Sequence, residues 1–112
     1  MNVSHVVLMT PRPDLSAEDR QAFVAAFERA LREIPSVRGV RVGRRITHGA
    51  AYERVSPSAG YIALIDFDDF EGLQAYLRHP AHEHLGKLFY ASISSGAAYD
   101  FAMGGPEMLG EI

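Results

Sequence analysis

Four stretches of the chain alternate hydrophobic residues with others in the way that β-strands do. In the first stretch, His5, Val7 and Met9 share one face. Val6 and Leu8 share the opposite face, so this strand is apolar on both sides. The third stretch has the same two-sided character. The four predicted strands cover residues 3–10, 37–47, 61–68 and 97–103.

The segment after the first strand has hydrophobic residues at helical spacing. Ser16 is the predicted N-cap, and Pro35 ends the helix near Ile34 because a residue before proline avoids helical backbone angles. Phe23 and Phe27 belong to the apolar stripe that this helix turns toward the sheet. The pattern therefore predicts a long amphipathic helix between the first two strands.

Two shorter helices are predicted between the third and fourth strands. Asp69 is the predicted N-cap of the first of them, which stops at Arg78. Pro80 opens the next helix, where its missing N–H has no partner to lose, and this helix runs to about Ile93. Residues 94–96, Ser-Ser-Gly, are predicted to turn the chain into the last strand.

The order strand, helix, strand, strand, broken helix, strand is that of the α+β, ferredoxin-like βαββαβ fold. It predicts a four-stranded antiparallel sheet in a single domain spanning residues 1–112, with a core of about 3–103 and a C-terminal tail of 104–112. Because the helices cover only one sheet face, the other apolar face needs a partner. We therefore expect a homodimer that pairs sheet faces and closes a shared barrel.

Composition limits the expected cellular location of the protein and the kinds of partner it binds. With 112 residues, 47% of them hydrophobic and 22% charged, the chain matches a soluble domain. A net charge of −3 gives no reason to expect nucleic acid, and no apolar run is long enough for a membrane span. The absence of cysteine and of a signal-peptide pattern makes a cytoplasmic protein the default expectation.

The second predicted strand is the basic element of the chain. Its arginines are Arg38, Arg41, Arg44 and Arg45. A solvated strand face is the main interpretation, because no aromatic residues interleave with them as nucleic-acid binding would need. The alternative is that one arginine meets a ligand carboxylate.

The candidate chemistry centres on the third predicted helix. His82, Leu85 and Phe89 stand at i, i+3 and i+7, so the imidazole of His82 faces an apolar interior. Tyr76 lies one helix earlier, and His5 lies on a face of the first strand that can turn to the same interior. A neutral imidazole is a natural base for a proton next to a carbonyl, and a phenol can polarise that carbonyl. The alternative is a buried structural histidine.

No zinc motif fits the histidines of this segment. The pattern His-Glu-x-x-His starting at His82 would need histidine where Gly86 stands, and His-x-x-Glu-His would need glutamate at position 82. Chelation by His79 and His82 across the turn is the remaining alternative. We predict no metal site.

The chain resembles the stress-responsive A/B barrel (Dabb) family of dimeric α+β barrels. The resemblance covers essentially the whole chain. It is carried by His5 in an apolar first strand, by Phe67 before the second helix and by three short segments: 34–40 (Ile-Pro-x-Val-x-Gly-Val), 76–82 (Tyr-Leu-x-His-Pro-Ala-His) and 99–101 (Tyr-Asp-Phe).

Among proteins similar to this chain is a plant polyketide cyclase that closes a linear polyketo acid by aldol condensation. Its acid–base tyrosine and histidine correspond to Tyr76 and His82, and its first-strand histidine corresponds to His5. Two pocket positions depart, because Phe27 replaces a tyrosine and Tyr61 replaces a histidine. The resemblance thus implies proton-transfer chemistry on a different substrate.

These patterns together predict small-molecule binding with cofactor-independent enolisation, isomerisation or aldol cyclisation of a keto compound. Catalytic roles are expected for His82, Tyr76 and His5. A non-catalytic stress-response or ligand-binding homodimer is the alternative, and a haem-degrading or cofactor-free monooxygenase rests on fold analogy alone. The residues expected to bind substrate are Phe23, Phe27, Tyr61, His79 and Phe89.

Overall fold

The computed structural model describes residues 1–112 as one antiparallel sheet covered on one face by three helices. The strands lie in the order β2-β3-β1-β4, which confirms the ferredoxin-like prediction. None of the helices combines the length and the hydrophobicity needed to cross a membrane. The elements are β1 Val3–Pro11, α1 Ala17–Glu33, β2 Gly39–Arg44, β3 Tyr61–Phe67, α2 Phe70–Arg78, α3 Pro80–Ser92 and β4 Ile93–Ala102.

Local sequence explains where the helices begin. The Ser16 hydroxyl accepts a hydrogen bond from the Asp19 N–H at 3.1 Å, and Asp69 Oδ1 accepts one from the Gly72 N–H at 2.9 Å. Each bond satisfies an N–H that the first turn of a helix leaves without a partner. The break at Pro80 between α2 and α3 is confirmed.

The strand register decides which side chains meet beneath the helices. In β1, His5 stands opposite Ile65 of β3 on one side and Asp100 of β4 on the other. Because side chains alternate across a strand, all three point to the helical layer. The main core lies there, and its largest enclosed side chains are Tyr76, Phe67, Ile34, Ile65 and Leu73.

The prediction of a turn at residues 94–96 is wrong. β4 begins at Ile93, and Ser95 and Gly96 pair with Thr10 and Met9 of β1. The ladder to β1 outweighs the turn preference of Ser-Ser-Gly, because each pairing satisfies backbone groups that a turn would leave to water. Gly96 suits this strand position, since a Cβ atom there would stand 2.7 Å from the ring of Phe89.

Further differences from the sequence-based expectation lie in β2, β1 and the C-terminal tail. β2 is shorter than predicted and spans only Gly39–Arg44 instead of residues 37–47. β1 runs one residue further than expected, to Pro11. In the C-terminal tail, Pro106–Glu111 forms a short 3₁₀ helix. The loop between β2 and β3 contains another short 3₁₀ helix, Ala51–Arg54.

The sheet face away from the helices is apolar across its middle. We call it the outer face. Tyr99 and Phe101 of β4 are 53% and 50% exposed on it, and Met103 continues the row. Ser4 donates a hydrogen bond to Asp66 at 2.6 Å at one end of this face. Its central apolar residues are Val6, Leu8, Ile62, Leu64 and Ala97.

Candidate functional site

Three rings from separate elements meet between the sheet and the helices. The ring centroids of Tyr76 in α2 and His82 in α3 are 4.7 Å apart, and those of Tyr76 and His5 in β1 are 5.9 Å apart. Phe67 at the end of β3 also packs against Tyr76, with ring centroids 5.3 Å apart. The tyrosine and both histidines singled out in the sequence thus lie in one cluster, with Tyr76 at its centre.

A fourth side chain extends this cluster to the edge of the sheet. Asp100 Oδ1 lies 2.5 Å from Nδ1 of His5. The His5 side chain is 9% exposed, while that of Asp100 is 43% exposed. A neutral His5 donates its Nδ1–H to the carboxylate, which leaves Nε2 as the acceptor of the ring. Asp100 therefore holds both the orientation and the tautomer of His5. We refer to His82, Tyr76, His5 and Asp100 as the proton cluster.

Burial keeps Tyr76 protonated. Loss of solvent raises the pKa of its phenol from 10.0 to about 12. No side-chain hydrogen bond of the chain engages the Tyr76 hydroxyl. The one fully enclosed side-chain polar atom without a hydrogen-bond partner is Thr10 Oγ1, so the Tyr76 oxygen is not fully enclosed. The hydroxyl therefore keeps a small contact with solvent and is free to donate to a ligand oxygen.

Its surroundings keep His82 neutral. Burial is the largest cause that lowers the pKa of its imidazole below 6.5, and the charge of a protonated His5 lowers this pKa further. A hydrogen bond to the Leu77 backbone acts in the opposite direction. His82 is half-buried, so its ring is both deprotonated near neutral pH and partly reachable.

A groove of about 500 Å³ runs between α1 and the β2 side of the sheet. Its walls are mostly apolar. No helix covers β2, so Val40 and Val42 are 40% and 61% exposed. Phe23, Phe27 and Tyr61, three of the residues predicted to bind substrate, line it. We call this feature the α1 groove.

The other two residues predicted to bind substrate lie outside the α1 groove. Phe89 packs edge-on against Phe23, with ring centroids 6.3 Å apart, and so supports the groove wall from behind. His79 caps α3, because its Nδ1 accepts a hydrogen bond from the Ala81 N–H at 3.0 Å. That role places His79 at the start of the helix that carries His82.

The α1 groove and the proton cluster lie on the same sheet face but at different places. Met9 lines the groove and His5 belongs to the cluster. The two residues are four positions apart on β1, which places their Cα atoms about 13 Å apart. Phe27 lines the groove and also packs against the main core that contains Tyr76. Phe27 is therefore part of the wall between the two.

Sequence reasoning missed Asp100 as a partner of His5. The signal was present in the alternation of the last strand, where Asp100 is the one charged residue on the face shared by Ala98 and Ala102. A carboxylate on a face turned to the core needs a polar partner there. No three histidine, aspartate or glutamate side chains converge in a geometry suited to a metal ion.

Comparison with known proteins identifies the family of the chain. The model of the Stress Responsive A/B Barrel Domain matches residues 3–103. Olivetolic acid cyclase of Cannabis sativa is 22% identical over 89 residues, which cover 80% of this chain and 84% of the cyclase.

Solved structures share the fold over nearly the whole chain. A hydroxynitrile lyase from Passiflora edulis superposes with a TM-score of 0.77 at 14% identity, covering 92% of this chain and 94% of the lyase. A dimeric ferredoxin-like protein of unknown function from Jannaschia superposes with a TM-score of 0.73 at 22% identity, covering 92% and 100% of the two chains.

Proposed function

Because the chain belongs to the stress responsive A/B barrel domain family, we propose that it binds a small organic molecule and catalyses cofactor-independent proton transfer on it. The reaction class is enolisation, isomerisation or aldol cyclisation of a keto compound. The observation that carries the proposal is the contact between a neutral, partly reachable His82 and a protonated Tyr76, 4.7 Å apart by ring centroids.

In the proposed step, His82 removes a proton from the carbon next to the substrate carbonyl. The electron pair of the broken C–H bond moves into the enolate, whose oxygen accepts a hydrogen bond from the Tyr76 hydroxyl. The imidazolium formed at His82 then returns the proton to the product or to the aldol oxygen. His5, held by Asp100, is the second polar group beside Tyr76.

The α1 groove is the proposed binding site for the apolar part of the substrate. Phe23, Phe27 and Tyr61 supply its aromatic walls, and its volume of about 500 Å³ lies in the usual range for small-molecule sites. For the reaction to occur, the substrate carbonyl has to pass Phe27 to reach the proton cluster. His79 and Phe89 act through their neighbours, by holding the start of α3 and by supporting Phe23.

The proposed assembly is a homodimer that pairs the outer faces of two sheets. Tyr99 and Phe101 are about half exposed there, next to a continuous apolar surface on β1 and β3. A patch of this kind on a monomer would be unusual. The Jannaschia protein with this fold is dimeric, which supports a dimer here.

Two named relatives support an enzyme, since one is a cyclase and the other a lyase. One observation favours a non-catalytic ligand-binding protein instead. Tyr76 is only 2% exposed, and none of the four residues of the proton cluster lines the α1 groove. In that second candidate function, the cluster stabilises the core and the groove alone binds the ligand.

Deuterium exchange distinguishes the two functions. A simple ketone such as 2-heptanone is incubated with the protein in D₂O, and loss of its α-hydrogens is followed by NMR. The proposal expects catalysed exchange that falls by about 10²–10⁴-fold in His82→Gln, the usual contribution of a general base. His84→Gln is the matched control, because His84 is exposed on the same helix. Exchange that is equal in His82→Gln and the wild type would leave the non-catalytic function.

A further inference from the structure

The α1 groove has a cationic end. Arg20 of α1 lines the groove near Met9 and Tyr61. Arg44 ends β2 and pairs in register with Tyr61. Since side chains alternate along a strand, Arg44 lies on the same sheet face as Val42, which lines the groove. Arg20 and Tyr61 therefore line this end of the α1 groove, and Arg44 stands beside Tyr61 on the same sheet face without lining the groove itself.

Neither arginine is committed to a partner within the chain. The four ion pairs of the protein involve Arg12, Arg29, Arg38 and His5, and leave Arg20 and Arg44 without a carboxylate. Of the other arginines around β2, Arg45 donates to the Pro57 carbonyl and Arg38 to Asp68. Arg41 lies on the opposite sheet face, beside Val6 and Leu64. Both Arg20 and Arg44 are exposed and free to meet a ligand.

The opposite end of the groove carries a negative charge. Glu28 lines it together with Leu31 and Val40. Arg20 and Glu28 are eight residues apart on one helix, so their Cα atoms are about 12 Å apart along its axis. An anionic group of a ligand is therefore attracted to the Arg20 end and repelled from the Glu28 end, so the groove favours one orientation of the ligand.

Resting on the α1 groove as the ligand site of the proposed function, we propose that this groove binds a medium-chain aliphatic carboxylate. The carboxylate lies between Arg20 and Arg44, where guanidinium groups match its two oxygens. The Tyr61 hydroxyl donates a third hydrogen bond. The hydrocarbon chain lies on Phe23, Phe27 and Met9, which points its far end toward Phe27 and the proton cluster.

This placement specifies the substrate of the proposed reaction further. Because the acid group is held at the Arg20 end, a reacting carbonyl has to lie further along the chain, past Phe27. The favoured substrate is thus an acid whose keto group is separated from the carboxylate by several carbons. A neutral alcohol of the same length carries no negative charge for the cationic end, and a protonated amine is repelled by it.

Calorimetric titration with octanoate, 1-octanol and octylamine tests the proposal at fixed ionic strength. The wild type is expected to bind octanoate on the order of tenfold more tightly than 1-octanol, and octylamine more weakly still. Arg20→Gln and Arg44→Gln are each expected to weaken octanoate binding several-fold and to leave 1-octanol unchanged. Arg32→Gln is the matched control, because Arg32 is exposed on α1 and does not line the groove.

Each outcome separates this proposal from the function on which it rests. Equal binding of octanoate and 1-octanol, or octanoate binding that both arginine variants leave unchanged, would overturn the carboxylate preference and keep the groove as a ligand site. Binding of none of the three probes would overturn both. Circular dichroism of the variants excludes loss of fold as the cause, and ketone exchange at His82 is measured independently.

Discussion

Asp100 Oδ1 lies 2.5 Å from Nδ1 of His5, although the two residues are 95 positions apart in the chain. The pair joins the edge strand β4 to the central strand β1 on the face that carries Tyr76. An acid at the rim of the sheet thereby fixes the orientation of an enclosed imidazole.

Removing the carboxylate of Asp100 is expected to destabilise the fold. Asp100→Ala leaves the enclosed Nδ1–H of His5 without an acceptor, which costs about 1–3 kcal/mol of the free energy of unfolding. Urea denaturation measures the loss. In a double-mutant cycle with His5→Ala, the two changes should cost less together than the sum of each alone. Additive effects would show that the contact carries no coupling energy.

Tyr76 allows its ring and its hydroxyl to be tested separately. Tyr76→Phe keeps the packing against Phe67 and His82 and removes a hydroxyl that has no partner in the chain, so stability should change by less than about 1 kcal/mol. Tyr76→Ala empties the centre of the core and should cost about 3–5 kcal/mol. Thermal unfolding compares the two. A large loss of stability in Tyr76→Phe would assign the hydroxyl a structural bond.

His82 makes stability depend on pH in a defined direction. Its pKa is lowered in the folded state, so the unfolded chain binds more protons below about pH 6.5. The stabilisation from a neutral His82 is therefore present above pH 6.5 and is lost as pH falls through the folded pKa. His82→Gln should flatten the decline of the unfolding free energy in that range, and His84→Gln should not. A decline equally steep in both variants would assign it to other groups.

The pKa of His82 should also report on His5. A protonated His5 lowers the pKa of His82, so His5→Gln is expected to raise it toward 6.5. NMR titration of the His82 ring in the two proteins gives the comparison. An unchanged midpoint would mean that burial alone sets the pKa.

The outer face can be tested with matched tyrosines. Tyr99→Glu places a charge within the proposed dimer contact, whereas Tyr90→Glu changes an 84% exposed tyrosine of α3. Light scattering after size exclusion should report a dimer for the wild type and Tyr90→Glu, and a monomer for Tyr99→Glu. A dimer that survives Tyr99→Glu would require a different interface.

Much of the fold follows from local rules in the sequence. Alternation placed β1 and β3, and Pro35 and Pro80 marked where helices end and begin. Ser16 and Asp69 cap the helices as expected, because capping depends on residues within one turn. The prediction failed at residues 94–96, where a distant strand supplies the hydrogen bonds that a turn motif alone would not.

Some features of the candidate site also follow from local sequence, and others depend on the tertiary structure. Helical spacing in α3 is enough to turn His82 inward, and the family resemblance associates it with Tyr76 and His5. Three features arise only in the tertiary structure. They are the partnership of Asp100 with His5, the position of Arg20 in the α1 groove and the separation of that groove from the proton cluster. Each depends on the register between strands and on the way α1 lies across the sheet, and chain neighbours do not encode such long-range geometry.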